Sequence, residues 1–158
     1  PRGGDPERHA GGLSSSDRLG HLADVGAEGR PVLGAGGGLM TLGESVTTAD
    51  GEAYGMAGVL PVSTRMSDRV VASDHVGVRA REDCLLSPAG GTRRGFECHF
   101  SSATPAPDAR YALEVIRGAG VDGVNDGLRE YRTLGTYTHF HPGSGAFDYL
   151  LESVAPGL

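Results

Sequence analysis

A run of glycines between two apolar segments constrains the fold of this chain more than any other feature of its sequence. Residues 31–33 (Pro-Val-Leu) lead into the run 34–38 (Gly-Ala-Gly-Gly-Gly), and the segment 39–45 follows. The apolar run is typical of a buried strand, and the segment after the glycines is predicted to form a short helix. The sequence therefore predicts a strand that turns sharply into a helix at residues 34–38, a turn that we call the elbow.

Gly36 lies at the centre of this elbow. A turn of this kind points its central residue outward, at the positive end of the helix dipole. Nucleophilic Ser or Cys residues occupy that position in enzymes because a nearby backbone N–H stabilises an oxyanion there. Glycine carries no nucleophile, so a purely structural turn and an altered catalytic elbow are both open interpretations of the local sequence.

The remaining patterns predict a helix near each end of the chain and strands between them. Residues 1–12 are expected to form a loop, and residues 13–29 a helix with a serine cap. Period-two apolar patterns predict strands, and Asp126-Gly127 predicts a hairpin. The predicted strands span 56–62, 69–80, 94–101, 110–117, 128–132 and 134–141, and the terminal helix spans 147–154. A βα beginning and a β-rich second half predict an α/β sheet with an antiparallel extension.

The charged residues exclude several kinds of function. The chain has 14 Lys and Arg residues against 20 Asp and Glu residues, and all of the former are Arg because the sequence contains no Lys. A Schiff-base mechanism and a Walker A phosphate site both need a lysine, so neither is available. The formal net charge of −6 and the dispersed arginines also argue against nucleic acid as a partner.

The cysteines and the apolar runs limit the kinds of site, partner and cellular location that we expect. Cys84 and Cys98 are too few for a disulfide framework or a paired-cysteine metal site. Cys98 precedes His99, but neighbours on a strand face opposite sides, so we expect Cys98 to be a small buried hydrophobe. No apolar run approaches ~20 residues and no signal-peptide stretch is present, so we expect no membrane partner and a cytoplasmic location.

A second glycine motif lies at 118–123 (Gly-Ala-Gly-Val-Asp-Gly) and matches the dinucleotide-binding string. A phosphate site also needs the N-terminus of a helix, whereas the following residues 125–127 (Asn-Asp-Gly) predict none. We therefore expect a plain surface turn here. The elbow itself fails the same string because Leu39 stands where the third glycine belongs.

A pair of histidines near the end of a predicted strand leaves three interpretations open. His139 and His141 are two residues apart, so on a strand both imidazoles would face one side. They would form a metal site with a third ligand such as Asp148, His99 or His75. Alternatively one of them acts as a general base in a cleft, or both are simply exposed.

Six segments of the chain occur in an order that is typical of one protein family. Residues 3–7 with His9 are similar to a Gly-Gly-Tyr-Pro-Glu loop, and residues 30–42 to a strand and elbow with the motif Glu-Cys-Gly-Gly-Leu-Met. Residues 95–101 (Gly-Phe-Glu-Cys-His-Phe-Ser) are similar to Gly-His-Glu-Phe-His-Tyr-Ser. The remaining segments are 43–45, 56–61 and 134–139. Together they resemble the C-terminal class I glutamine amidotransferase domain of the cobyrinic acid a,c-diamide synthases.

This resemblance implies a fold, an activity and a set of partners. The fold would be a flavodoxin-like α/β domain, with residues 1–158 forming a single, N-terminally truncated part of it. The whole enzyme would amidate corrin side-chain carboxylates in cobalamin biosynthesis, using glutamine as the nitrogen donor. An N-terminal ATP-binding synthetase domain, absent from this sequence, would hold ATP and Mg²⁺, so no cofactor and no metal are expected in this chain.

The resemblance also assigns roles to individual residues. Gly36 stands at the position of the nucleophilic Cys, whose thiolate attacks the glutamine amide in this family. His139 corresponds to the histidine that activates the thiol, and Gly37 and Gly4 to the two backbone donors of the oxyanion site. His141 stands where many class I amidotransferases have a glutamate that orients the catalytic histidine.

The departures from the family pattern bear on activity. Gly36 replaces the Cys and Ala35 the preceding Glu, while Asp5 and Phe96 replace a Tyr and a His of the family motifs. Loss of the nucleophile costs roughly 10⁶ in turnover in well-studied triad enzymes, so no thioester is expected at Gly36. Three interpretations follow: an enzyme that uses free ammonia, a non-catalytic binding or interaction module with the amidotransferase fold, and a metal hydrolase built around the two histidines.

Overall fold

The computed structural model describes residues 5–155 of the chain. Within them lie a 3-10 turn at Pro6–His9, a second at Pro142–Ser144, four α-helices and eleven β-strands. The helices are α1 (Ala10–Ser14), α2 (Asp17–Ala27), α3 (Gly37–Leu42) and α4 (Ala146–Val154). The strands are β1 (Val32–Ala35), β2 (Ser45–Thr47), β3 (Ala53–Gly55), β4 (Val62–Met66), β5 (Ala72–Ala80), β6 (Thr92–His99), β7 (Ser101–Pro105), β8 (Tyr111–Arg117), β9 (Asn125–Glu130), β10 (Thr133–Thr136) and β11 (His139–Phe140).

The strands form two sheets. The larger one has the order β1-β10-β9-β8-β5-β6-β11, and the smaller one the order β3-β2-β4-β7. Pairing is parallel between β1 and β10 and between β2 and β4, and antiparallel between the other neighbours. The predicted α/β architecture with an antiparallel second half is therefore confirmed. No helix of the described residues is long and apolar enough to cross a bilayer.

The elbow is held in place by close packing of α3 on β1 and β10. Gly34 of β1 lies opposite Gly135 of β10 in the parallel pair. A side chain on Gly34 would come within 2.6 Å of Leu42, and one on Gly135 within 2.6 Å of Leu39. Both leucines are buried, and because the two glycines have no side chains, α3 packs directly against the backbone of both strands. This contact fixes the direction in which the chain leaves the elbow.

The first half differs from the predictions in two predicted segments and in strands β2, β3 and β4, which were not predicted. Helix α2 begins after Ser16, whose hydroxyl accepts the backbone N–H of Arg18, as the capping prediction required. The predicted loop over 1–12 is wrong within the described residues, because the 3-10 turn and α1 occupy them from Pro6 onward. The predicted strand over 56–62 is also wrong. Its N–H groups instead bind carbonyls at residues 41–44, where α3 ends and leaves acceptors unpaired.

The second half departs from the predictions at two turns. Asp126-Gly127 lies inside β9 rather than at a hairpin. Gly127 has a φ of 68°, so the left-handed conformation expected of an Asp-Gly turn produces an irregularity within the strand. The reversal occurs instead between β9 and β10, at Tyr131, which has a φ of 50°. The predicted strand over 134–141 is divided, because the chain leaves the sheet at residues 137–138 between β10 and β11.

Candidate active site

The backbone at the elbow has the geometry that the sequence predicted. Gly36 has φ 56° and ψ −114°, a conformation that side chains other than glycine adopt only under strain. Its N–H donates to the carbonyl of Thr136 at 2.8 Å, which ties the elbow to the end of β10. Gly37 is the first residue of α3, and the N–H groups of a helix's first turn have no acceptor within the helix. The elbow thus presents backbone donors beside residue 36.

His139 lies directly over the elbow. An ideal Cβ on Gly36 would lie 2.6 Å from Nε2 of His139 and 3.0 Å from its Cε1. The imidazole therefore occupies the space in which a side chain of residue 36 would begin. Two residues that are about a hundred positions apart in sequence meet here, as the resemblance implied for a nucleophile and its activating histidine.

A single open cavity of about 650 Å³ contains Gly36, Gly37 and His139 in its lining. Its wall is completed by residues from the segment before α1, from α3 and from both sheets. These are Asp5, Pro6, Glu7, Met40, Met66, Cys98, His99, Phe100, Ser101 and Tyr137. The cavity is large enough for an amino acid such as glutamine and combines apolar walls with a few polar groups, as ligand sites do.

Two predicted site residues remain to be placed, Gly4 and His141. Gly4, predicted as an oxyanion donor, lies outside the described residues. His141 does not join the cavity: it lines a separate depression with Arg94, and its Nδ1 accepts the N–H of Gly143 at 3.0 Å. The structure therefore gives no support to its predicted orienting role.

The described residues give the metal hypothesis no support. Strand β11 ends at Phe140, so the two histidines do not share one strand face, which the prediction required. Within residues 5–155, no three His, Cys, Asp or Glu side chains are close enough together to hold a metal ion. None of the third ligands considered, Asp148, His99 and His75, therefore forms such a group of three with the two histidines.

Cys98 corrects another prediction. It is exposed rather than buried, and it lines the cavity beside His139. In the pairing of β11 with β6, His139 lies opposite Phe96, so Cys98 occurs two residues further along the same face. Cys84 is partly buried, and burial raises the pKa of its thiol. The two thiols therefore differ in accessibility as well as in position.

A buried polar group behind the cavity escaped the sequence analysis. Glu97 is 1% exposed, and its carboxylate accepts the N–H groups of Ala119 at 2.6 Å and Gly120 at 2.9 Å. The glycine motif at 118–123 does form a turn, as predicted, but its backbone donors bind an acidic side chain of the same chain. The signal was present in the sequence, since such glycine turns create anion-binding concavities.

The Glu97 carboxylate also faces an aromatic stack on the cavity wall. His99 Nε2 lies 3.7 Å from Oε2 of Glu97, and His99 Nδ1 donates to the carbonyl of Ser101 at 2.8 Å. The imidazole stacks on Tyr137, with ring centroids 3.8 Å apart and planes 6° from parallel. The Tyr137 hydroxyl bonds to Ser101 at 2.8 Å, and burial raises the pKa of Tyr137 to about 12.

A second missed residue, Asp126, lies beneath the segment that carries His139. It is 0% exposed, and its carboxylate accepts backbone N–H groups from Gly127, Tyr137 and Thr138. It also accepts the Thr138 hydroxyl at 2.6 Å. The sequence hid this role, because Asp-Gly is equally the signature of a hairpin turn.

Comparison with known proteins identifies the family of this chain. Residues 2–147 match the CobB/CobQ-like glutamine amidotransferase domain. The chain is 54% identical over 152 residues to the cobyrinate a,c-diamide synthase of Halobacterium salinarum, covering 96% of this chain and 34% of that protein. It is 51% identical over 149 residues to the enzyme of the same name from Haloarcula marismortui, covering 94% and 34%. The chain therefore spans about a third of the length of these relatives.

Solved structures of low sequence identity share the fold. PurLQS from Thermotoga maritima superposes with a TM-score of 0.64 at 13% identity, over 93% of this chain and 72% of that one. A structure described as a glutamine amidotransferase gives a TM-score of 0.62 at 15% identity, over 96% and 76%. The predicted flavodoxin-like amidotransferase fold is thereby confirmed. Sequence, elbow and structural likeness agree, and the chain belongs to the CobB/CobQ-like glutamine amidotransferase domain family.

Proposed function

We propose that this chain is the amidotransferase part of an ATP-dependent cobyrinate a,c-diamide synthase, which amidates carboxylates on the side chains of a corrin. The observation that carries this proposal is the 54% identity to a synthase of that name along 96% of the chain. The partner would be an ATP-binding synthetase domain that holds ATP and Mg²⁺ and activates each carboxylate. The cytoplasmic location and the single partial domain over residues 1–158 remain predictions.

The proposed nitrogen donor follows from the residue at the elbow. In the family reaction a thiol at the elbow attacks the glutamine amide and its proton passes to the histidine. The histidine then gives this proton to the amide nitrogen, which leaves as ammonia as the thioester forms. We propose that His139, whose Nε2 lies 2.6 Å from an ideal Cβ on Gly36, would take that proton, and that Gly37 at the start of α3 would donate to the oxyanion, but Gly36 supplies no thiol. We therefore propose that the synthase built on this domain draws its nitrogen from free ammonia and does not hydrolyse glutamine.

The test uses the polypeptide that joins this chain to its synthetase domain, with cobyrinate, ATP and Mg²⁺. We expect amidation with an ammonium salt and none with glutamine alone, while the Gly36→Cys variant gains glutamine-dependent amidation. Gly36→Ala is the matched control, since it introduces the same Cβ without a thiol. Amidation of cobyrinate by the native protein with glutamine as the sole nitrogen source would overturn the ammonia proposal.

A second candidate is a non-catalytic module that retains the amidotransferase fold. It is favoured by one observation: the imidazole of His139 already fills the space at which a side chain of residue 36 would begin. Such a module would still bind its synthetase domain or glutamine. In the same assay, a folded protein that amidates cobyrinate with neither nitrogen source would favour the module.

A further inference from the structure

We infer that Asp126 is the positioning residue of His139, acting through the backbone of residues 136–138 rather than through the imidazole itself. This inference rests on the proposed function, because it concerns the placement of the proposed activating histidine over the elbow. It assigns to a buried aspartate on β9 the orienting role that the sequence had assigned to His141.

The first support is the set of contacts that Asp126 makes. Oδ1 accepts the N–H of Gly127 at 2.8 Å and of Tyr137 at 3.1 Å, and Oδ2 accepts the N–H of Thr138 at 3.1 Å and its hydroxyl at 2.6 Å. Burial raises the pKa of Asp126, and these hydrogen bonds act in the opposite direction. Because each oxygen receives two donors, the site is built for an acceptor-only carboxylate.

The second support is where the ladder between β9 and β10 ends. The antiparallel pairing runs from Glu130–Thr133 to Leu128–Gly135 and then stops. Beyond the end of β10, the Asp126 side chain accepts the N–H groups of Tyr137 and Thr138. The chain is thereby turned out of the larger sheet's β10 and directed toward β11, which begins at His139.

The third support is a direct link from this segment to the elbow. The Thr136 carbonyl accepts the N–H of Gly36 at 2.8 Å, and the Thr136 hydroxyl donates to the Thr138 carbonyl at 2.8 Å. Thr136 is therefore hydrogen-bonded to the elbow, and Tyr137 and Thr138 are hydrogen-bonded to Asp126. His139 follows immediately, with Nε2 over Gly36. A small shift of this segment would move the imidazole away from residue 36, and a misplacement of about 1 Å can slow a catalysed reaction roughly a hundredfold.

The experiment measures how well His139 activates a thiol placed at the elbow. The parent variant carries Gly36→Cys with Cys84→Ala and Cys98→Ser, so that the thiol at position 36 is the one that reacts. A thiol beside an imidazolium ionises well below its usual pKa of about 8.5, and only the thiolate is alkylated. The rate of iodoacetamide labelling is recorded against pH, and thermal unfolding is recorded in the same buffers.

The Asp126→Asn substitution retains the size of the side chain but turns an NH₂ donor toward backbone N–H donors. We expect the midpoint of the labelling profile to rise by at least about one pH unit, so that labelling at a pH well below both midpoints is roughly tenfold slower in molecules that remain folded. The other titratable groups of the cavity, Asp5, Glu7, His99 and Tyr137, are the same in parent and variant.

Asp122→Asn is the matched control. Asp122 also accepts three hydrogen bonds, from the N–H groups of Val124 and Asn125 and from the Asn125 side chain, but it does not contact residues 136–138. Its profile should coincide with that of the parent. If Asp126→Asn does not fold, Thr138→Val and Thr138→Ser replace it. Thr138→Val should move the midpoint of the labelling profile to higher pH, and Thr138→Ser should keep it at the value of the parent, since Ser keeps the hydroxyl.

The outcomes distinguish a failure of the positioning role of Asp126 from a failure of the proposed site at residue 36. A low-pH profile in the parent that Asp126→Asn and Thr138→Val leave unchanged overturns the positioning role and leaves the proposed site intact. An ordinary thiol profile in the parent itself shows that His139 does not activate residue 36, which overturns the proposed site and the positioning role with it. A profile raised equally by Asp122→Asn assigns the effect to general loosening and overturns the inference.

Discussion

A side chain at residue 36 should destabilise the fold, while the same change two residues later should not. Gly36 has φ 56° and ψ −114°, and a non-glycine residue in such a region costs about 1–3 kcal/mol. The new Cβ would also meet Nε2 of His139 at 2.6 Å, although the end of that flexible side chain can move. An added Cβ on Gly38 meets nothing within 4 Å, and Gly38 lies inside α3, where alanine is favoured by about 0.5–1 kcal/mol.

The comparison of Gly36→Ala with Gly38→Ala converts this geometry into a measurable difference. For a chain of this size 1 kcal/mol moves Tm by about 2–4 °C, so Gly36→Ala should melt roughly 2–12 °C lower and Gly38→Ala slightly higher than the native chain. Urea unfolding should give the same order with unchanged slopes. If Gly36→Ala were as stable as Gly38→Ala, the backbone at the elbow would not have the strained conformation on which the site depends.

Three further predictions concern groups around the cavity. Glu97→Gln should cost about 1–3 kcal/mol in urea unfolding, because the amide turns one donor toward the N–H groups that the carboxylate accepts; an unchanged midpoint would contradict this buried contact. Cys98 should react with iodoacetamide well before Cys84, which is partly buried and has a raised thiol pKa; mass spectrometry of the labelled peptides decides the order. The folded pKa of Tyr137 is about 12, above the unfolded value of 10, so its contribution of about 3 kcal/mol is complete below pH 10 and should be lost as the pH rises through 12. An absorbance titration in which all five tyrosines ionise together near pH 10 would refute this.

The elbow was predictable because its signal is local. An apolar run, glycines and a second apolar segment determine a strand, a turn and a helix, and the structure places all three at β1, Gly36 and α3. Helix α2 was predictable for the same reason, since its serine cap and apolar spacing lie within one short window. The activating role of His139 came from the resemblance, and its place over the elbow required the parallel pairing of β1 with β10.

The residues that the sequence analysis missed act over long separations. Asp126 and Glu97 are buried acceptors, and apart from Gly127 their donors belong to other segments of the chain, so no pattern around either acid distinguishes it from a turn or surface acid. Cys98 was placed on the wrong side because strand alternation gives two faces but does not say which one is solvent-exposed. The predicted strand over 56–62 was wrong because Val59 and Leu60 pack in or against the core while the backbone of this segment caps α3 rather than joining a sheet.

The parallel pairing of β1 with β10 also has a kinetic consequence. Within residues 5–155, β1 has one neighbour in its sheet, and Val32 pairs with Thr133, roughly a hundred residues later in the chain. Closing a loop of that length carries an entropic cost that local hairpins such as β5–β6 avoid, and contacts of high sequence separation slow folding. The hairpins of the second half are therefore expected to gain protection from amide exchange first during refolding, and the elbow with His139 last, so that the cavity is assembled in the final step.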